Sequence, residues 1–251
     1  MDIKVVSFNL RCRSDVGGNS IKERSLRLNE ILKNYDADLI GFQECSPKWK
    51  KKIKKYFCKE YGMFSRYRGL FQREATPVLW KQDKFRFIDR GCFRLSNTPW
   101  KPSGKWDEKL ISYRICTYVI LEERESKKRI TFFNTHFGFG DSCQQKSAAL
   151  IYEYSKKITE GPLVITGDFN MTPGSKGYIE MTEHFTDANS MTVKTTSPTY
   201  HGYGKGKPCH IDYCFTDKKF LPVDYKIIDE TVDGQYPSDH YGIYVKVRSV
   251  Q

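Results

Sequence analysis

Polar side chains suited to chemistry lie at or beside the ends of the short apolar runs of this sequence, where predicted strands meet loops, and the last two stand just before the final strand. From the N-terminus they are Asn9 in SFN, Glu44 in GFQE, His136 in FFNTH, Asp168 and Asn170 in GDFN, Asp212 in IDY, and Asp239 and His240 in SDH. Each residue alone has an ordinary explanation, because Asp and Asn also favour turns for backbone reasons. Together, these carboxylates, amides and histidines offer hard oxygen ligands for Mg²⁺ or Mn²⁺ and groups that transfer protons. The set therefore predicts a metal-assisted catalytic site.

Ten short β-rich runs and three helical patterns must position these residues. The predicted strands span residues 4–8, 39–43, 77–80, 85–92, 114–121, 130–134, 163–166, 211–215, 225–228 and 241–247. Apolar spacing predicts helices over residues 21–35, capped by Ser20 and Glu23, over 48–59, and over 143–158, capped by Ser142 and Gln145. Strands interleaved with helices predict an α/β fold in which helices cover the sheet faces. Because no low-complexity linker divides the chain, we expect one domain over residues 1–251.

Positive charge dominates the 251-residue chain, which has 42 Lys and Arg against 30 Asp and Glu and a formal net charge of +12. This balance favours anionic partners through long-range attraction. The densest patch, residues 48–59, has two interpretations. It could follow a nucleic-acid backbone, or it could be an amphipathic helix with a solvated lysine face, since Trp49, Ile53, Tyr56 and Phe57 recur at helical spacing. We favour the second interpretation, because such helices are common in globular proteins.

The N-terminal residues and the cysteines bear on the cellular compartment. Residues 1–10 lack the basic start and apolar stretch of a signal peptide, and no apolar segment approaches the roughly 18 to 20 residues of a membrane-spanning helix. We therefore expect a cytoplasmic protein. The eight cysteines form no CxxC pair and are expected to be reduced thiols. The segment CHIDYC, residues 209–214, matches no structural zinc spacing and coincides with a strand alternation, which argues against a zinc site.

The ordered series SFN, GFQE, NTH, GDFN, IDY and SDH resembles the endonuclease/exonuclease/phosphatase superfamily, which has the fold of pancreatic-type deoxyribonuclease. The resemblance covers residues 4–247 and is closest to bacterial-type, single-domain, metal-dependent hydrolases. GDFN followed by SDH about 70 residues later is the specific signal, since either motif alone is weak. The resemblance implies a four-layer sandwich, with two mixed β-sheets packed face to face, helices on the outside and a metal site at one end.

The resemblance also implies which residues hold the metal and which handle the attacking water. Glu44 corresponds to a direct ligand for Mg²⁺ or Mn²⁺. Asn9 corresponds to a residue that holds the metal shell or a phosphate oxygen, and Asp239 to the acid that the last motif contributes. Asp168 and Asn170 correspond to the pair that orients or deprotonates the water.

The remaining matches concern the histidines and the phosphate. Asp212 corresponds to the residue that fixes the tautomer of His240, which would contact a phosphoryl oxygen, and His136 would face the phosphate from another strand. Two looser matches are Glu74, resembling an acid that pairs with the second histidine, and Arg114, resembling a basic residue near the phosphate. A bound cation lowers the barrier to phosphoester hydrolysis by neutralising charge that develops on the phosphoryl oxygens.

The substrate stays open at this point, because the fold and its core motifs serve many phosphoesters. Two loops at residues 98–106 and 199–208 combine lysines with aromatic residues, namely Trp100, Trp106, Tyr200, His201 and Tyr203. Such side chains suit stacking on nucleic-acid bases, gripping a sugar phosphate, or plain loop packing. We favour a nuclease or phosphodiesterase over a phosphatase or phospholipase-type enzyme for a small or lipid phosphate. A non-catalytic anion-binding module is the rival of another class, and the intact motif residues argue against it.

Overall fold

The apolar runs of the sequence form strands, and the helical patterns between them form covering helices. The computed structural model describes residues 1–101, 105–107, 112–193 and 196–250. Within these residues the strands are β1 (Asp2–Asn9), β2 (Leu39–Gln43), β3 (Tyr61–Phe64), β4 (Val78–Lys81), β5 (Phe85–Arg94), β6 (Ile115–Glu123), β7 (Arg129–His136), β8 (Leu163–Asp168), β9 (Thr186–Asp187), β10 (Asp212–Thr216), β11 (Phe220–Ile228) and β12 (Gly242–Ser249). The α-helices are α1 (Ile21–Lys33), α2 (Pro47–Tyr56), α3 (Asp141–Ile158), α4 (Lys176–Thr182) and α5 (Ala188–Thr192).

The strands form two six-stranded sheets, with the orders β11-β12-β1-β2-β4-β3 and β5-β6-β7-β8-β10-β9. Each sheet contains one parallel pair, β1 with β2 and β7 with β8, and its other pairs are antiparallel. Parallel neighbours need a crossover connection, which α1 and α3 supply. The register sets Asn9 beside Gln43 and His136 beside Asp168, so the carboxyl ends of each pair lie at one edge.

Three clusters of buried apolar residues separate the layers. One lies between the sheets and joins Val5 and Leu39 of the first sheet to Phe132 and Val164 of the second. The other two lie under the helices, with residues of α1 and α2 on the first sheet and residues of α3 and α4 on the second. The expected four-layer sandwich of two mixed sheets with outer helices is confirmed.

A polar contact fixes the two sheets at the end where the candidate residues gather. Asn134 is fully buried and donates from Nδ2 to the carbonyl oxygens of Phe42, at 2.7 Å, and Pro77, at 3.0 Å. Its Oδ1 accepts from Gln43 Nε2 at 2.7 Å. A Cβ on Gly41 would lie 2.6 Å from Asn134 Oδ1, so the close approach of the sheets requires glycine there.

The predicted N-terminal cap is present in α1 and absent in α3. The Ser20–Glu23 capping box at α1 is present. At α3 the expected Ser142–Gln145 cap is wrong, because the helix begins at Asp141 after Gly140, which has φ of 98° and makes no side-chain cap bond. A glycine can adopt this conformation without steric cost, so the chain turns into the helix earlier than the Ser–Gln pattern indicates.

Shorter elements escaped prediction, and some helix ends are earlier than expected. β3 and β9 have four and two residues, too few for a clear alternation, and α4 and α5 have seven and five. α1 ends at Lys33 and α2 at Tyr56, so residues 57–59 of the lysine-rich segment lie beyond the helix. No helix among the described residues combines the length and apolar character needed to cross a membrane.

Candidate active site

The candidate site is a cavity of about 530 Å³ beside the carboxyl ends of β1, β2, β7 and β8. Among the sequence-predicted residues, its lining includes Glu44, Glu74, Arg114, His136, Asp168, Asn170, Asp239 and His240. Asn9 and Asp212 are buried and bond to lining residues from behind. Residues separated by up to 231 positions in the sequence therefore meet at one edge of the sandwich, from Asn9 to His240.

Asp168 is the centre of this arrangement. Its Oδ2 accepts from Asn9 Nδ2 at 2.8 Å, and its Oδ1 accepts from the backbone N–H of Asn170 at 2.9 Å. The same Oδ2 lies 3.6 Å from His136 Nε2 and 3.9 Å from His240 Nε2. Burial, followed by the neighbouring charge of Asp212, raises the pKa of Asp168. Its carboxylate is consequently a stronger base than that of an exposed aspartate.

His240 is held as a cation by the acids around it. Its Nδ1 lies 2.9 Å from Asp212 Oδ2, so the structure brings together the pair that the sequence suggested. Burial opposes the positive charge, but Asp212, with smaller contributions from Asp168 and Asp239, raises the pKa of His240 to about 10. With Nδ1 engaged by Asp212, Nε2 is the nitrogen that remains for the cavity.

His136, unlike His240, is neutral. Burial, together with the cations Arg114, Arg68 and His240, holds its pKa well below the ordinary value. His136 is thus neutral while His240 is protonated at neutral pH. Environments that drive two titratable groups apart in pKa are typical of sites that move protons.

Glu44 presents a carboxylate to the same cavity. Its Oε2 accepts from the backbone N–H of Cys12 at 2.8 Å, and Asn9 Nδ2 lies 3.5 Å from its Oε1. Burial alone would raise the pKa of Glu44, but the Cys12 N–H and the charge of His240 lower it overall. The side chain is therefore anionic, as a ligand for a hard cation must be.

Further donors lie near Glu44. Its carboxylate, that of Glu74 and the thiol of Cys12 have ligand atoms within 4.8 Å of one another. Asp239 lines the same cavity, where its Oδ2 accepts from Arg11 Nη1 at 2.8 Å. Carboxylate oxygens dominate this set, so the residues present fit Mg²⁺ or Mn²⁺.

Four arginines also line the cavity, and of these the sequence pointed only to Arg114. Arg11, Arg13 and Arg68 were not predicted, because the motifs that indicate the site consist of acids, amides and histidines. A signal existed, since Arg11 and Arg13 follow Asn9 in SFNLRCR.

The ion-pair partner of Glu74 differs from the one that the resemblance implies. The resemblance pairs it with a histidine, but the structure pairs it with Arg68, whose Nη2 lies 2.6 Å from its Oε1. The reason is local: the Arg68 N–H donates to the Glu74 carbonyl across a hairpin, which sets the two residues side by side. The acid near His136 is Asp168 instead.

Two arginine N–H groups at the cavity are buried without a hydrogen-bond partner among the described residues. Arg114 donates from Nε to Asp107 at 2.9 Å, yet its Nη1 has no partner. Nε of Arg68 is likewise buried and has no hydrogen-bond partner among the described residues. Buried polar groups are nearly always paired, and guanidinium groups bind phosphate oxygens well, so an anion would satisfy both.

Three of the seven non-glycine residues with positive φ in the described part of the chain line this cavity. Arg11, Glu44 and Asn170 have positive φ values of 53°, 54° and 51°, and all three line it. Non-glycine residues rarely adopt this conformation, and where they do the surrounding structure must compensate for the strain. The observed outliers therefore support a functional origin for the arrangement.

The family follows from the sequence of the whole chain. The profile of the Endonuclease/Exonuclease/phosphatase family matches residues 6–240. The chain belongs to the endonuclease/exonuclease/phosphatase family. No curated protein matches it.

Solved structures show the same fold in members of several kinds. The endonuclease/exonuclease/phosphatase from Bacteroides vulgatus superposes with a TM-score of 0.90 at 24% identity over 100% of both chains. The mannosyl-6-phosphatase Bt3783 of Bacteroides thetaiotaomicron gives 0.84 at 24% identity, over 98% of this chain and 99% of that one. TDP2 of D. rerio, solved with a single-strand DNA product, gives 0.78 at 16% identity over 99% of each. At these identities the likeness concerns the fold alone.

Trp100 and Trp106, the aromatic residues of the loop at residues 98–106, do not line the cavity. Trp100 packs on Tyr154, with ring centroids 5.4 Å apart, and Trp106 packs on the cluster beneath the outer helices of the second sheet. Residues 102–104 of that loop lie outside the described residues. Of the alternatives that the sequence left open for these tryptophans, the structure shows loop packing against the outer core, with Trp100 still 58% exposed.

In the loop at residues 199–208, His201 and Tyr203 pack behind the cavity, and His201 holds the backbone of Asp239. His201 is buried and stacks on Tyr241 at 4.3 Å, and Tyr203 lies 5.7 Å from His201. The backbone N–H of His201 donates to the carbonyl of Asp239 at 3.0 Å. In the described part of the chain, the aromatic residues that line the cavity are Tyr200 and Phe139, whereas His201 and Tyr203 pack behind it.

The cysteines are all free thiols, and two of them, Cys12 and Cys209, line the cavity. Burial, followed by the charges of Glu44 and Glu74, raises the pKa of Cys12 to about 12. The thiol is thus protonated at neutral pH and a poor nucleophile. This leaves the carboxylates, histidines and arginines as the reactive groups of the cavity.

Proposed function

We propose that this protein is a divalent-metal-dependent phosphoesterase in which water attacks the phosphorus atom. The observation that carries the proposal is the meeting of Asp168, cationic His240 and neutral His136 in one cavity. This combination supplies a base, a charged donor and a neutral polar group within a few ångströms of each other. Such groups typically contribute about 10² to 10⁴-fold each, so several must act together to reach enzyme-level rates.

Asp168 is the base that takes a proton from the attacking water. Asn9 holds Oδ2 of Asp168, and the N–H of Asn170 holds Oδ1, so the carboxylate is fixed before substrate arrives. Its raised pKa increases its affinity for the proton. Asn170 is itself fixed by donating from Nδ2 to the Phe137 carbonyl at 2.9 Å.

The phosphoryl oxygens are bound by cationic donors. His240 donates from Nε2, and the unpaired N–H groups of Arg114 and Arg68 supply two further hydrogen bonds. His136 completes the phosphate contacts as a neutral group. Donors that are already in place stabilise developing negative charge without reorganising during the reaction.

The metal would be held by Glu44 and Asp239, with Asn9 beside them. When bound, Mg²⁺ or Mn²⁺ neutralises the charge that develops on the phosphoryl group. Asn9 joins the two parts of the site, because its Nδ2 faces Asp168 at 2.8 Å and Glu44 at 3.5 Å. Arg11 orients Asp239 and also pairs with Asp15 at 2.7 Å.

For the substrate we favour a phosphodiester of nucleic acid. The net charge of +12 and four arginines at the cavity suit a polyanion. The D. rerio TDP2 structure, with its single-strand DNA product, supports this class. A phosphatase acting on a sugar phosphate is the second candidate, because the Bacteroides thetaiotaomicron mannosyl-6-phosphatase matches nearly the full length of this chain.

A substrate panel tests the proposal. Purified protein is assayed against single-stranded DNA and RNA, nucleotides, sugar phosphates and phospholipids, with Mg²⁺ or Mn²⁺ and with a chelator. We expect hydrolysis of a phosphodiester that the chelator abolishes and added metal restores. Hydrolysis that resists the chelator contradicts the metal assignment, and turnover of sugar phosphates alone selects the second candidate.

A further inference from the structure

A second concave surface, on the helical side of the first sheet, carries concentrated positive charge. This groove of about 720 Å³ lies between the start of α1 and the outer face of α2. Six lysines line it, Lys22 on α1 and Lys48, Lys51, Lys52, Lys54 and Lys55 on α2, and no acidic residue does. We call it the lysine groove.

The fold does not need these lysines. α2 is anchored by Trp49 and Ile53, which are fully buried on its inner face. On the outer face, lysines three and four positions apart repel each other and weaken the helix. Within the described residues none of the six forms an ion pair, so their charge is not neutralised by the protein itself.

The lysine groove adjoins the catalytic cavity through two consecutive residues. Arg13 lines the cavity, and Ser14, one residue later, lines the groove. Arg13 is exposed and forms no ion pair within the described residues, unlike Arg11, which is paired with Asp15 and Asp239. A cationic path thus runs from the cavity, past Arg13, into the groove.

Hydrogen bonds hold residues 11–13, the segment between the cavity and the lysine groove, in a fixed position. Nη2 of Arg24, on α1, donates to the carbonyl oxygens of Arg11 and Arg13, and Nε1 of Trp49, on α2, donates to that of Arg11 at 2.9 Å. The same two helices that form the groove therefore hold the segment that lines the cavity. A ligand that occupies both surfaces meets a preformed track.

We propose that the lysine groove binds the phosphate backbone of a nucleic-acid strand whose reacting phosphoester occupies the catalytic cavity. The inference rests on the proposed function in its nucleic-acid form. From Lys48 to Lys55 the helix rises by roughly 10 Å, which matches about three phosphates of a strand whose charges are spaced along a duplex axis at ~3.4 Å. A membrane fits less well, because the apolar residue that lines the groove, Ile21, is buried.

The test compares two variants of equal net charge. In the first, Lys48, Lys51, Lys52 and Lys55 are changed to Gln. In the second, the control, the exposed lysines Lys33, Lys127, Lys128 and Lys146, which lie outside the groove, are changed to Gln. Gln has nearly the helix propensity of Lys, which applies to the groove lysines and to Lys33 and Lys146. Lys127 and Lys128 are exposed between β6 and β7, so both variants are expected to fold. Thermal unfolding checks this.

Binding is measured by fluorescence anisotropy with chelator present, so that no turnover occurs. The probes are single-stranded DNA and RNA of about 30 nucleotides, a duplex of the same length, and phosphatidylserine vesicles. We expect the groove variant to bind a strand about tenfold more weakly than the control does. The slope of log affinity against log salt should fall by about 2, since each single-strand contact contributes about 0.7.

The outcomes separate this inference from the proposed function. Hydrolysis of a dinucleotide, which is too short to reach the groove, should be the same in both variants, whereas hydrolysis of the longer strand falls in the groove variant. Strand binding through the groove without any hydrolysis supports the surface and contradicts the enzyme. Equal losses in the two variants, or groove-dependent binding of vesicles without binding of nucleic acid, overturn the inference.

Discussion

Two βαβ units build the candidate site, and they differ in the charge state of the side chains they deliver. The unit β1–α1–β2 ends at Glu44, whose pKa is lowered although burial opposes this. The unit β7–α3–β8 ends at Asp168, whose pKa burial and Asp212 raise, beside neutral His136. The topology is the same in both units, with one parallel pair and one crossover helix.

The difference lies in the neighbours of each carboxylate. Glu44 accepts a backbone hydrogen bond from Cys12, which stabilises its charge. Asp168 is more deeply buried and shares its surroundings with a second aspartate, Asp212. Equivalent positions in a fold can therefore differ in charge, because local contacts set the pKa of each carboxyl group. The roles proposed for the two units, metal binding in one and proton transfer in the other, rest on this difference.

The largest expected effect comes from the second unit. Asp168→Asn keeps the shape of the side chain and its contact with Asn9 but removes the base, so we expect turnover to fall by about 10³-fold or more. His240→Ala should be comparably damaging, because it removes the cationic donor. Steady-state kinetics give the loss, and thermal unfolding shows whether the fold persists. Full activity in either folded variant contradicts the catalytic assignment.

In the first unit, Glu44→Gln should act through the metal. The change removes the negative charge but keeps the size. We expect a loss larger than the roughly 10 to 100-fold that is typical for residues behind a metal ligand, and rising Mg²⁺ concentrations should partly restore activity. Titration of activity with Mg²⁺, next to the same titration for Asp168→Asn, distinguishes the two units. If excess metal rescues Asp168→Asn and leaves Glu44→Gln unchanged, the roles of the units are reversed.

A smaller effect concerns the pH profile. Asp212 raises the pKa of both His240 and Asp168, so Asp212→Asn should lower both. His240 is active as the cation, present below its folded pKa of about 10, so the alkaline limb should move to lower pH. Asp168 is active as the anion, present above its pKa, so the acid limb should move to lower pH as well. The profile of kcat/KM against pH measures both, and an unmoved alkaline limb argues against a protonated His240.

The smallest effect is expected outside both units. Trp100→Ala removes a ring that packs on Phe93 and Tyr154, so it should lower the melting temperature slightly and leave kcat/KM unchanged. Tyr200→Ala, at the cavity lining, is the matched comparison and should raise KM. A rise in KM for Trp100→Ala on a nucleic-acid substrate reinstates the first loop as a substrate contact.

The positions of the longer strands could be predicted because alternation and continuous apolar runs reflect burial directly. Eight predicted residues reach the cavity lining. Glu44, His136, Asp168 and Asn170 do so because the carboxyl ends of parallel strands meet at one edge. The other four precede β4, β6 and β12, which begin at that edge because they run antiparallel to β2, β7 and β1. Glu74 shows where this reasoning stops, since its partner Arg68 depends on a hairpin whose closure no periodicity reveals. Trp100 and His201 show the same limit, because a loop sequence does not tell which way its rings face.

The sequence by itself determined the family, the order of the motifs and the kinds of ligand and proton-carrying groups available. Only the tertiary structure decided that Arg68 rather than a histidine faces Glu74, that four arginines surround the cavity, and that His136 and His240 carry different charges. The physical reason is that residue types follow the chain, whereas burial and charge depend on distances between segments that only packing brings together.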